Sequence, residues 1–276
     1  MKKRQKVLFM GLLVLITLSF GFSLCGAGGM SVREFAGVKF HTYSAMGTLS
    51  HIIETKNYLF MQDSVRAPHN RELKQYIESL NKPLERIIIS HACDHHWMGL
   101  ELFQGKKIYA LEGVIKVIRE KCEEKKKMFG ISKFVIPSHI INPGEETIDG
   151  VRFSFIQPPE KWLSNILFIE MPDQKVIITH HLAFPGLHNP APYIPARIAM
   201  LKDLKAKNYN LVMTGHGVPM PGAVYADKSI AYFETVENII KESPDVKTAK
   251  EKMMKAYPNY GAKWLLDALL PKHYKK

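Results

Sequence analysis

The sequence predicts an α/β or α+β sandwich, in which helices cover the faces of β-sheets. Short runs rich in β-branched residues recur along the chain, and amphipathic helical patterns separate them. The early runs are close enough to pair as hairpins. The runs Arg86–Ile89 and Asn210–Met213 are instead short, mostly apolar and flanked by helical patterns, which is typical of buried strands. Sheets of this kind need helices on their outer faces, which gives the predicted fold class.

Ten segments are predicted as strands, from alternating or short apolar patterns. They are Val38–Tyr43, Leu49–Glu54, Tyr58–Met61, Arg86–Ile89, Lys107–Ala110, Phe134–Ile136, Val151–Ile156, Ile166–Met171, Lys175–Ile178 and Asn210–Met213. Six segments have the apolar spacing of helices. They are His69–Leu80, Leu111–Phe129, Pro195–Ala206, Asp227–Glu242, Val246–Tyr257 and Ala262–Leu270.

A single domain is predicted over residues 31–276. The chain has 276 residues, of which 46% are hydrophobic, which is enough to bury a substantial core. The sequence contains no repeat at solenoid spacing, no low-complexity tract and no long linker. One globular domain is therefore the simplest interpretation.

The N-terminus has the pattern of a signal peptide over residues 1–27. A basic start is followed by an apolar run from Val7 to Leu24, and Cys25-Gly26-Ala27 offers a cleavage site before Gly28. We therefore expect an exported protein, periplasmic or secreted. Two alternatives stay open: the apolar run is nearly long enough to act as an uncleaved membrane anchor, and Cys25 could carry a lipid.

The basic charge of the chain does not indicate a nucleic-acid partner. Loss of the four positive charges before Val7 lowers the formal net charge from +12 to +8. The remaining lysines are dispersed, and the densest patch, Glu120–Lys127, mixes both signs as a solvated helix face does. We expect no nucleic-acid partner, a small-molecule substrate, and attraction to an anionic membrane surface.

Two cysteines, Cys93 and Cys122, would remain after export to an oxidising compartment. They could form one disulfide. Cys93 could instead bind a metal, because it lies in the segment IIISHACDHHWMG, where a run of isoleucines is followed by three histidines and a cysteine. The sequence leaves both alternatives open.

The histidine-rich segment is predicted to supply metal ligands at the end of a strand. Residues at i and i+2 of an extended chain point the same way, so His91 and Cys93 can share one ion. The chain turns after them, and the adjacent His95 and His96 are expected to diverge, so that at most one joins the same ion. A catalytic metal needs about three protein ligands and one open position.

Two more histidine clusters follow later strands, Thr179-His180-His181 and Thr214-Gly215-His216-Gly217. Loops at strand ends are where sites assemble on such scaffolds, so we expect the clusters to share one site. The proline-rich segment Phe184–Pro195 is a candidate wall or lid of that site. His188 lies within it and is interpreted as a surface loop residue, with a position that reaches the site as the alternative. His41, His51, His69, His139 and His273 have no supporting neighbours and are given no role.

The order and spacing of these motifs resemble the metallo-β-lactamase fold superfamily over nearly all of Val38–Tyr257. Met61-Gln62-Asp63-Ser64 resembles the strand that ends in an aspartate, and Ser90–Gly99 resembles the His-x-His-x-Asp-His motif with its glycine. Glu160 falls near the expected Pro-Gly-His, and His180-His181 falls at the expected Gly-Asp. Thr214–Gly217 is the best match, to the late Gly-His-Gly. The resemblance implies a four-layer αββα sandwich.

The main motif departs from the family pattern, because it reads His-x-Cys-x-His-His. By position, the resemblance implies one ion at His91, Cys93 and perhaps Glu160, and another at His95, His96 and His216, with His181 between them. Each replacement is itself able to bind a metal, which argues against simple decay of the site. Asp63 is expected to be structural and close to the site, with Asp94 and His180 also beside the ligands.

The resemblance implies a metal-dependent hydrolase that acts on an ester, amide or thioester bond. Zinc is the expected metal, as one or two ions, and iron would also suit thiolate and imidazole ligands. No side chain is given a catalytic role beyond the ligands, since metal-bound water would be the nucleophile. The alternative is a catalytically inactive binding protein of the cell envelope that has kept the fold.

Overall fold

A computed structural model describes residues 28–129 and 134–274 of the chain. The predicted signal peptide, residues 1–27, lies outside the described residues. The described parts form two β-sheets. The first sheet consists of β1 (Gly29–Phe35), β2 (Val38–Ala45), β3 (Thr48–Glu54), β4 (Leu59–Gln62), β5 (Leu84–Ile89), β6 (Ile108–Ala110) and β7 (His139–Ile140). The second consists of β8 (Gly144–Ile148), β9 (Val151–Ile156), β10 (Phe168–Met171), β11 (Val176–His180) and β12 (Leu211–Thr214).

Helices follow many of these strands. They are α1 (His69–Ser79), α2 (Asp94–Trp97), α3 (Glu112–Phe129), α4 (Ile194–Ala206), α5 (Gly222–Glu242), α6 (Val246–Ala256), α7 (Trp264–Leu269) and α8 (Pro271–Tyr274). Within the described parts of the chain, no helix is both long enough and apolar enough to cross a membrane.

Each sheet is partly antiparallel and partly parallel. In the first sheet the strands lie in chain order; β1 to β4 pair antiparallel, and β4 to β7 pair parallel. In the second sheet, β8 to β11 pair antiparallel and β12 is parallel to β11. The pairs β4–β5 and β11–β12 are therefore parallel, and the carboxyl ends of both strands in a parallel pair lie at the same edge of the sheet.

The second sheet is buried on both faces because its residues alternate between two hydrophobic clusters. Ile178 and Met213 pack into the cluster that lies between the two sheets, whereas Ile177 and Val212, their neighbours along the chain, pack on the opposite side. The first cluster also receives apolar side chains of α1 and α3, and the second receives those of α4, α5, α6 and α7. This arrangement confirms the predicted αββα sandwich.

Three strands of the fold were not predicted: β1, β8 and the two-residue β7, whose side chains are exposed. β1 and β8 carry few buried residues, so that neither shows the alternating apolar pattern from which strands are recognised. β1 is an edge strand that pairs with β2, and β8 is an edge strand that pairs with β9. Backbone pairing, rather than burial of one face, defines these strands.

The predicted strand Phe134–Ile136 is wrong, because these residues form no strand in the structure. Their side chains are half-buried and pack against the cluster between the sheets. Pro137 follows directly and has no N–H to donate, and pairing with β6 begins only at Ser138, whose N–H donates to Ile108 O. The apolar run therefore reflects packing without backbone pairing.

Candidate metal centre

The candidate site lies where strand ends of the two sheets meet. Asp63 follows β4, and Ser90 and His91 follow β5. From the second sheet, His180 ends β11 and Thr214 ends β12. Backbone hydrogen bonds hold the sheets together here: Leu49 N donates to Gly215 O at 3.0 Å, and Leu167 N donates to Ser90 O at 2.9 Å. The separate histidine clusters of the sequence therefore converge at one edge of the sandwich.

Six histidines form two overlapping groups. In each group, one ligand atom per residue can be chosen so that all of these atoms lie within 4.8 Å of one another. The groups share two residues, so together they could hold one ion or two. The first group is His91, His96, His180 and His181, and the second is His95, His96, His181 and His216.

Both His95 and His96 join the second group, although adjacent residues were expected to diverge. They lie in the helical turn α2, where successive side chains are about 100° apart rather than the 180° of a strand. His180 and His181 also both face the site. The strand pairing is irregular between Ile178 and His180, and His180 has a positive φ of 48°, so the alternation of the strand ends before these residues.

The backbone fixes the tautomer of His216. Its Nδ1 lies 2.6 Å from Gly47 O, and because a carbonyl oxygen only accepts, Nδ1 carries the proton. The lone pair of His216 is therefore on Nε2, which lies 3.2 Å from Nε2 of His95. Two nitrogens bound to one ion at about 2.0–2.1 Å in tetrahedral geometry lie roughly 3.3 Å apart. This spacing fits two ligands of one metal.

Several ring nitrogens of the cluster are buried and have no hydrogen-bond partner among the described residues. They are Nε2 of His91, both ring nitrogens of His96, Nδ1 of His180 and Nε2 of His181. A buried polar atom without a partner costs about 1–3 kcal/mol, so a group of them calls for an occupant that the protein itself does not supply. A metal ion that accepts imidazole lone pairs fits this donor set.

Burial keeps these imidazoles neutral. It lowers the pKa of His96 and His181 far below the ordinary value, and the neighbouring histidines lower it further. The pKa of His216 falls to about 4, also through burial, although its bond to Gly47 opposes the shift. Neutral imidazole is the form that binds metals, so the site is ready for an ion at neutral pH.

Asp63 supports the cluster from the protein interior. It is fully buried, and its Oδ1 accepts from the Ser90 N–H at 2.8 Å. Its Oδ2 accepts from the Ser90 hydroxyl at 2.8 Å and from Gln62 Nε2 at 2.6 Å, and it also lies 3.0 Å from His180 Nε2 and 3.2 Å from His96 Nδ1. Asp63 therefore lies beside two of the histidines, on the interior side where a carboxylate can support metal ligands.

Asp94 lies beside His95 in the same way. Its Oδ1 is 3.4 Å from His95 Nδ1 and accepts a bond of 2.7 Å from the Arg66 guanidinium. These two partners lower the pKa of the Asp94 carboxyl far below its ordinary value. The carboxylate thus stays ionised and can hold the proton of His95 on Nδ1, which leaves His95 Nε2 facing His216.

Cys93 and Glu160, the two other residues predicted as ligands, belong to neither group. β5 ends at Ile89, so the alternation that would place Cys93 beside His91 does not extend to Cys93. Cys93 is exposed and Cys122 is buried, and both thiols are free, so the disulfide alternative is not formed. Glu160 begins a short 3₁₀ turn, and its Oε2 is buried without a hydrogen-bond partner in the described residues. The roles of Cys93 and Glu160 as ligands stay predictions.

His51 is a residue near the site to which the sequence gave no role. It is fully buried in β3; its Nε2 donates to Thr214 O at 2.8 Å, and its Nδ1 accepts from the Thr42 hydroxyl at 3.1 Å. It thereby supports the strand end that carries His216. A single histidine in a strand of mixed polarity gives no signal of such a role.

A cavity of about 1200 Å³ opens beside the cluster. His95, His181 and His216 line it, together with Cys93. One wall comes from the β2–β3 hairpin, at Ala45–Thr48, and another from the proline-rich segment, which was predicted as a wall or lid. A third wall comes from the C-terminal region around α7. The second histidine group therefore faces a space that a small molecule can enter.

Comparison with known proteins identifies the fold. No family model and no curated protein matches the sequence. Among solved structures, a metallo-β-lactamase from Pontibacter korlensis superposes with a TM-score of 0.58 at 17% identity, covering 75% of this chain and 99% of that one. FIM-1 from Pseudomonas aeruginosa, solved in a mono-zinc form, gives a TM-score of 0.56 at 13% identity, covering 76% and 96%.

A third metallo-β-lactamase, from Hirschia baltica, gives a TM-score of 0.56 at 15% identity, covering 75% of this chain and 98% of that one. The superposition includes nearly the whole length of each of these proteins. The chain therefore has the metallo-β-lactamase fold, as the motifs in its sequence indicated.

Proposed function

We propose that this chain, which has the metallo-β-lactamase fold, is a metal-dependent hydrolase that cleaves an ester, amide or thioester bond. One observation carries the proposal: histidines from several separate strand ends bring unbonded ring nitrogens together beside a cavity. Such an arrangement costs stability unless it binds something. The fold is also that of zinc-containing hydrolases such as the mono-zinc metallo-β-lactamase FIM-1.

The second histidine group is the better candidate for the catalytic ion. Three of its members, His95, His181 and His216, line the cavity, and His96 lies behind them. In the first group, His91 Nδ1 and His180 Nε2 lie 2.9 Å apart, which suits a hydrogen bond as well as shared coordination. A second ion at the first group is part of the proposal, with zinc the first expectation for both and iron also suited to imidazole.

A bound divalent ion would supply Lewis-acid polarisation of the substrate carbonyl and activation of water. The residues of the chain would hold the ligands in place. Gly47 O keeps the proton of His216 on Nδ1, and Asp94 does the same for His95. Asp63 fixes His180 and lies beside His96. The contacts of Gly47 and Asp94 leave the Nε2 atoms of His216 and His95 facing each other at 3.2 Å.

Phe184 limits the access of water to this centre. Its ring lies edge-on to His181 at 5.2 Å and to His216 at 4.8 Å, measured between ring centroids. An apolar group of the substrate can pack against this ring while its carbonyl lies beside the histidines. The exclusion of water strengthens electrostatic interactions at the reacting bond.

The test is a hydrolysis screen of protein loaded with zinc or iron, using aryl ester, thioester and β-lactam substrates. His216→Ala, in the second group, is expected to lose both bound metal, measured by elemental analysis, and turnover, and His91→Ala is expected to lose the ion of the first group and to reduce turnover. His139→Ala is the matched control, because His139 is exposed on β7 and lies outside both histidine groups. Unchanged turnover in both site variants would refute these assignments.

A result of bound metal without turnover would favour the alternative, a binding protein that has kept the fold. One feature of the site is consistent with that alternative. The positions that resemble family carboxylates are His95 and His181, so that the groups contain no anionic ligand. An ion held by neutral imidazoles alone lacks a ligand carboxylate that could accept a proton from the attacking water.

We also propose that the protein is exported, in a periplasmic or secreted form, with its basic surface attracted to anionic membranes. The pattern of residues 1–27 supports this proposal. N-terminal sequencing of the mature protein purified from its own cells tests it. A start at or near Gly28 is expected, and an intact Met1 in the membrane fraction would favour the anchor.

A further inference from the structure

The cavity beside the histidines is lined by positive charge. Four cationic side chains line it, Arg66, Arg197, Lys263 and Lys272, and none of the described residues that line it is acidic. A cavity of one sign concentrates ligands of the opposite sign. The lining alone therefore indicates an anionic ligand, but only if some of these charges are free to bind one.

The two arginines are already committed to the protein. Arg66 pairs with Asp94 at 2.7 Å. Arg197 is buried and donates to three backbone carbonyls, those of Pro192, His181 and Leu182, at 2.6–3.0 Å. Arg197 also stacks over the Trp162 ring, with its guanidinium carbon 4.1 Å from the ring centroid. These contacts give both arginines a structural role within the protein, so their charges are not free to bind a ligand.

The two lysines have no such partners. Lys263 and Lys272 are both exposed, and neither forms an ion pair or side-chain hydrogen bond with any residue in the ranges 28–129 and 134–274. Both residues line the cavity, and no carboxylate of the described residues pairs with either ammonium group. They are the charges available to a ligand.

Backbone pairing fixes the wall that carries these lysines. His188 N donates to Gly261 O at 2.9 Å, and Gly261 N donates to Gly186 O at 3.0 Å. His273, next to Lys272, is bonded through Nε2 to Pro190 O at 2.9 Å. The C-terminal wall is therefore attached to the proline-rich segment close to both lysines, which fixes the backbone positions from which these side chains extend.

The rest of the lining is largely apolar. Trp264, between the lysines in sequence, leaves 68% of its surface exposed, and Met46 at the tip of the β2–β3 hairpin leaves 84% exposed. Phe184 lies against the catalytic histidines, and Leu187 and Leu265 extend the apolar surface. Exposed apolar groups around a concave site commonly mark ligand contacts. The cavity thus combines an apolar surface near the histidines with free positive charge.

We infer that this cavity binds an amphiphilic anion, a substrate with an apolar chain or ring and a separate carboxylate or phosphate that lies beside Lys263 and Lys272. The inference rests on the proposed function, since it names the class of ester, amide or thioester that the site would cleave. The apolar part packs between Phe184 and Trp264, and the anion pairs with the lysines. The volume of about 1200 Å³ is sufficient, because typical small-molecule pockets measure roughly 300–1,000 Å³.

The experiment measures binding alone, by isothermal titration calorimetry of metal-free protein with octanoate, octyl phosphate and 1-octanol. Both anions are expected to bind about tenfold more tightly than the alcohol, since each exposed ion pair contributes up to about fivefold. The advantage should shrink as salt is raised from 0.02 to 0.5 M. A preference for one anion over the other identifies its head group.

Lys263→Met with Lys272→Met removes both charges while keeping the apolar stems, and should reduce the affinity for octanoate to that for octanol. Lys116→Met with Lys228→Met is the matched control, because these lysines are exposed, lie outside the cavity and form no ion pair within the described residues. Equal binding of octanoate and octanol, or an equal loss in the control, would overturn the inference. Circular dichroism verifies that both double variants fold.

The outcome separates this inference from the proposed function. Binding that depends on Lys263 and Lys272, in a protein that hydrolyses nothing, would support the ligand class and reject the hydrolase. Hydrolysis with no dependence on the two lysines, in either KM or the affinity for octanoate, would reject the ligand class and keep the hydrolase.

Discussion

Replacement of the buried Asp63 by asparagine should destabilise the protein even when no metal is present. Burial raises the pKa of Asp63 to about 8, and above that pH its carboxylate accepts two bonds from Ser90 and one from Gln62 and faces His180. Ser90 N–H would keep the amide oxygen in the Oδ1 position. The new NH₂ group would then occupy the Oδ2 position, opposite Gln62 Nε2 at 2.6 Å and His180 Nε2 at 3.0 Å.

The size of the loss follows from these two conflicts. A buried donor without a partner costs about 1–3 kcal/mol, so two cost about 2–6 kcal/mol. Gln62 can rotate its amide, because its Oε1 is buried without a partner, and rotation would relieve one conflict. His180 can move its proton to Nδ1 and accept at Nε2, but this leaves a buried Nδ1–H without a partner in the described residues, so a cost of about 1 kcal/mol remains. We expect a loss of about 3 kcal/mol.

Urea unfolding at pH 9, where Asp63 is ionised, in the presence of a chelator measures this loss. With a slope of about 3 kcal/mol per molar urea for a domain of this size, the midpoint should fall by roughly 1 M. Asp149→Asn is the matched control. Asp149 also accepts three bonds, from Thr55 and Asn57, but near the surface, where water can replace them. A midpoint shift for Asp63→Asn no larger than that of the control would refute the reasoning.

Three further predictions concern metal, packing and pH. Addition of zinc to metal-free protein should raise the Tm measured by differential scanning fluorimetry. When free zinc is a thousand times Kd, the gain in stability should be about 4 kcal/mol. The absence of a shift would mean that the histidines bind no ion. Gly215→Ala should cost about 1–3 kcal/mol in urea unfolding, because a Cβ there would lie 2.1 Å from His180 Nδ1, whereas Gly29→Ala, with no atom within 4 Å, should cost far less. Burial raises the pKa of Glu54, but Lys82, at 2.7 Å, together with Lys39 and His41 lowers it to a net value below 4.5. Stabilisation by these partners is therefore complete above about pH 4.5 and is lost as pH falls through the lower folded pKa. Lys82→Met should therefore reduce the pH dependence of the urea midpoint between pH 5.5 and 3, and an unchanged slope would contradict this assignment.

Much of the fold could be predicted because burial leaves a periodic record in the sequence. β5 and β12 are short apolar runs that pack into the core, and both were found. β1 escaped prediction because its residues are mostly exposed, and Phe134–Ile136 was wrong because its apolar residues pack without pairing. A sequence pattern reports which side chains are buried, and only indirectly which backbones are paired.

The candidate site could be predicted to the level of segments but not to that of individual side chains. Strand ends carry the clusters, as expected, since parallel strands bring their carboxyl ends to one edge. Which of two adjacent histidines faces inward depends on where regular alternation ends. At α2 and at the end of β11 the backbone leaves strand geometry, so that both members of each pair face the site. Cys93, predicted by alternation to join His91, lies just beyond β5 and in neither group.

The replacements in the motif change the charge of the site more than its ability to bind metal. Burial keeps neutral the imidazoles of His96 and His181, which both groups share, so an ion bound there would retain its full positive charge, whereas carboxylate ligands would neutralise part of it. The nearest buried carboxylate, Asp63, lies behind the histidines and away from the cavity. A loaded site of this kind, next to Lys263 and Lys272, would make the cavity strongly positive. The same feature that separates the motif from the family pattern therefore favours the anionic ligand class that the cavity lining indicates.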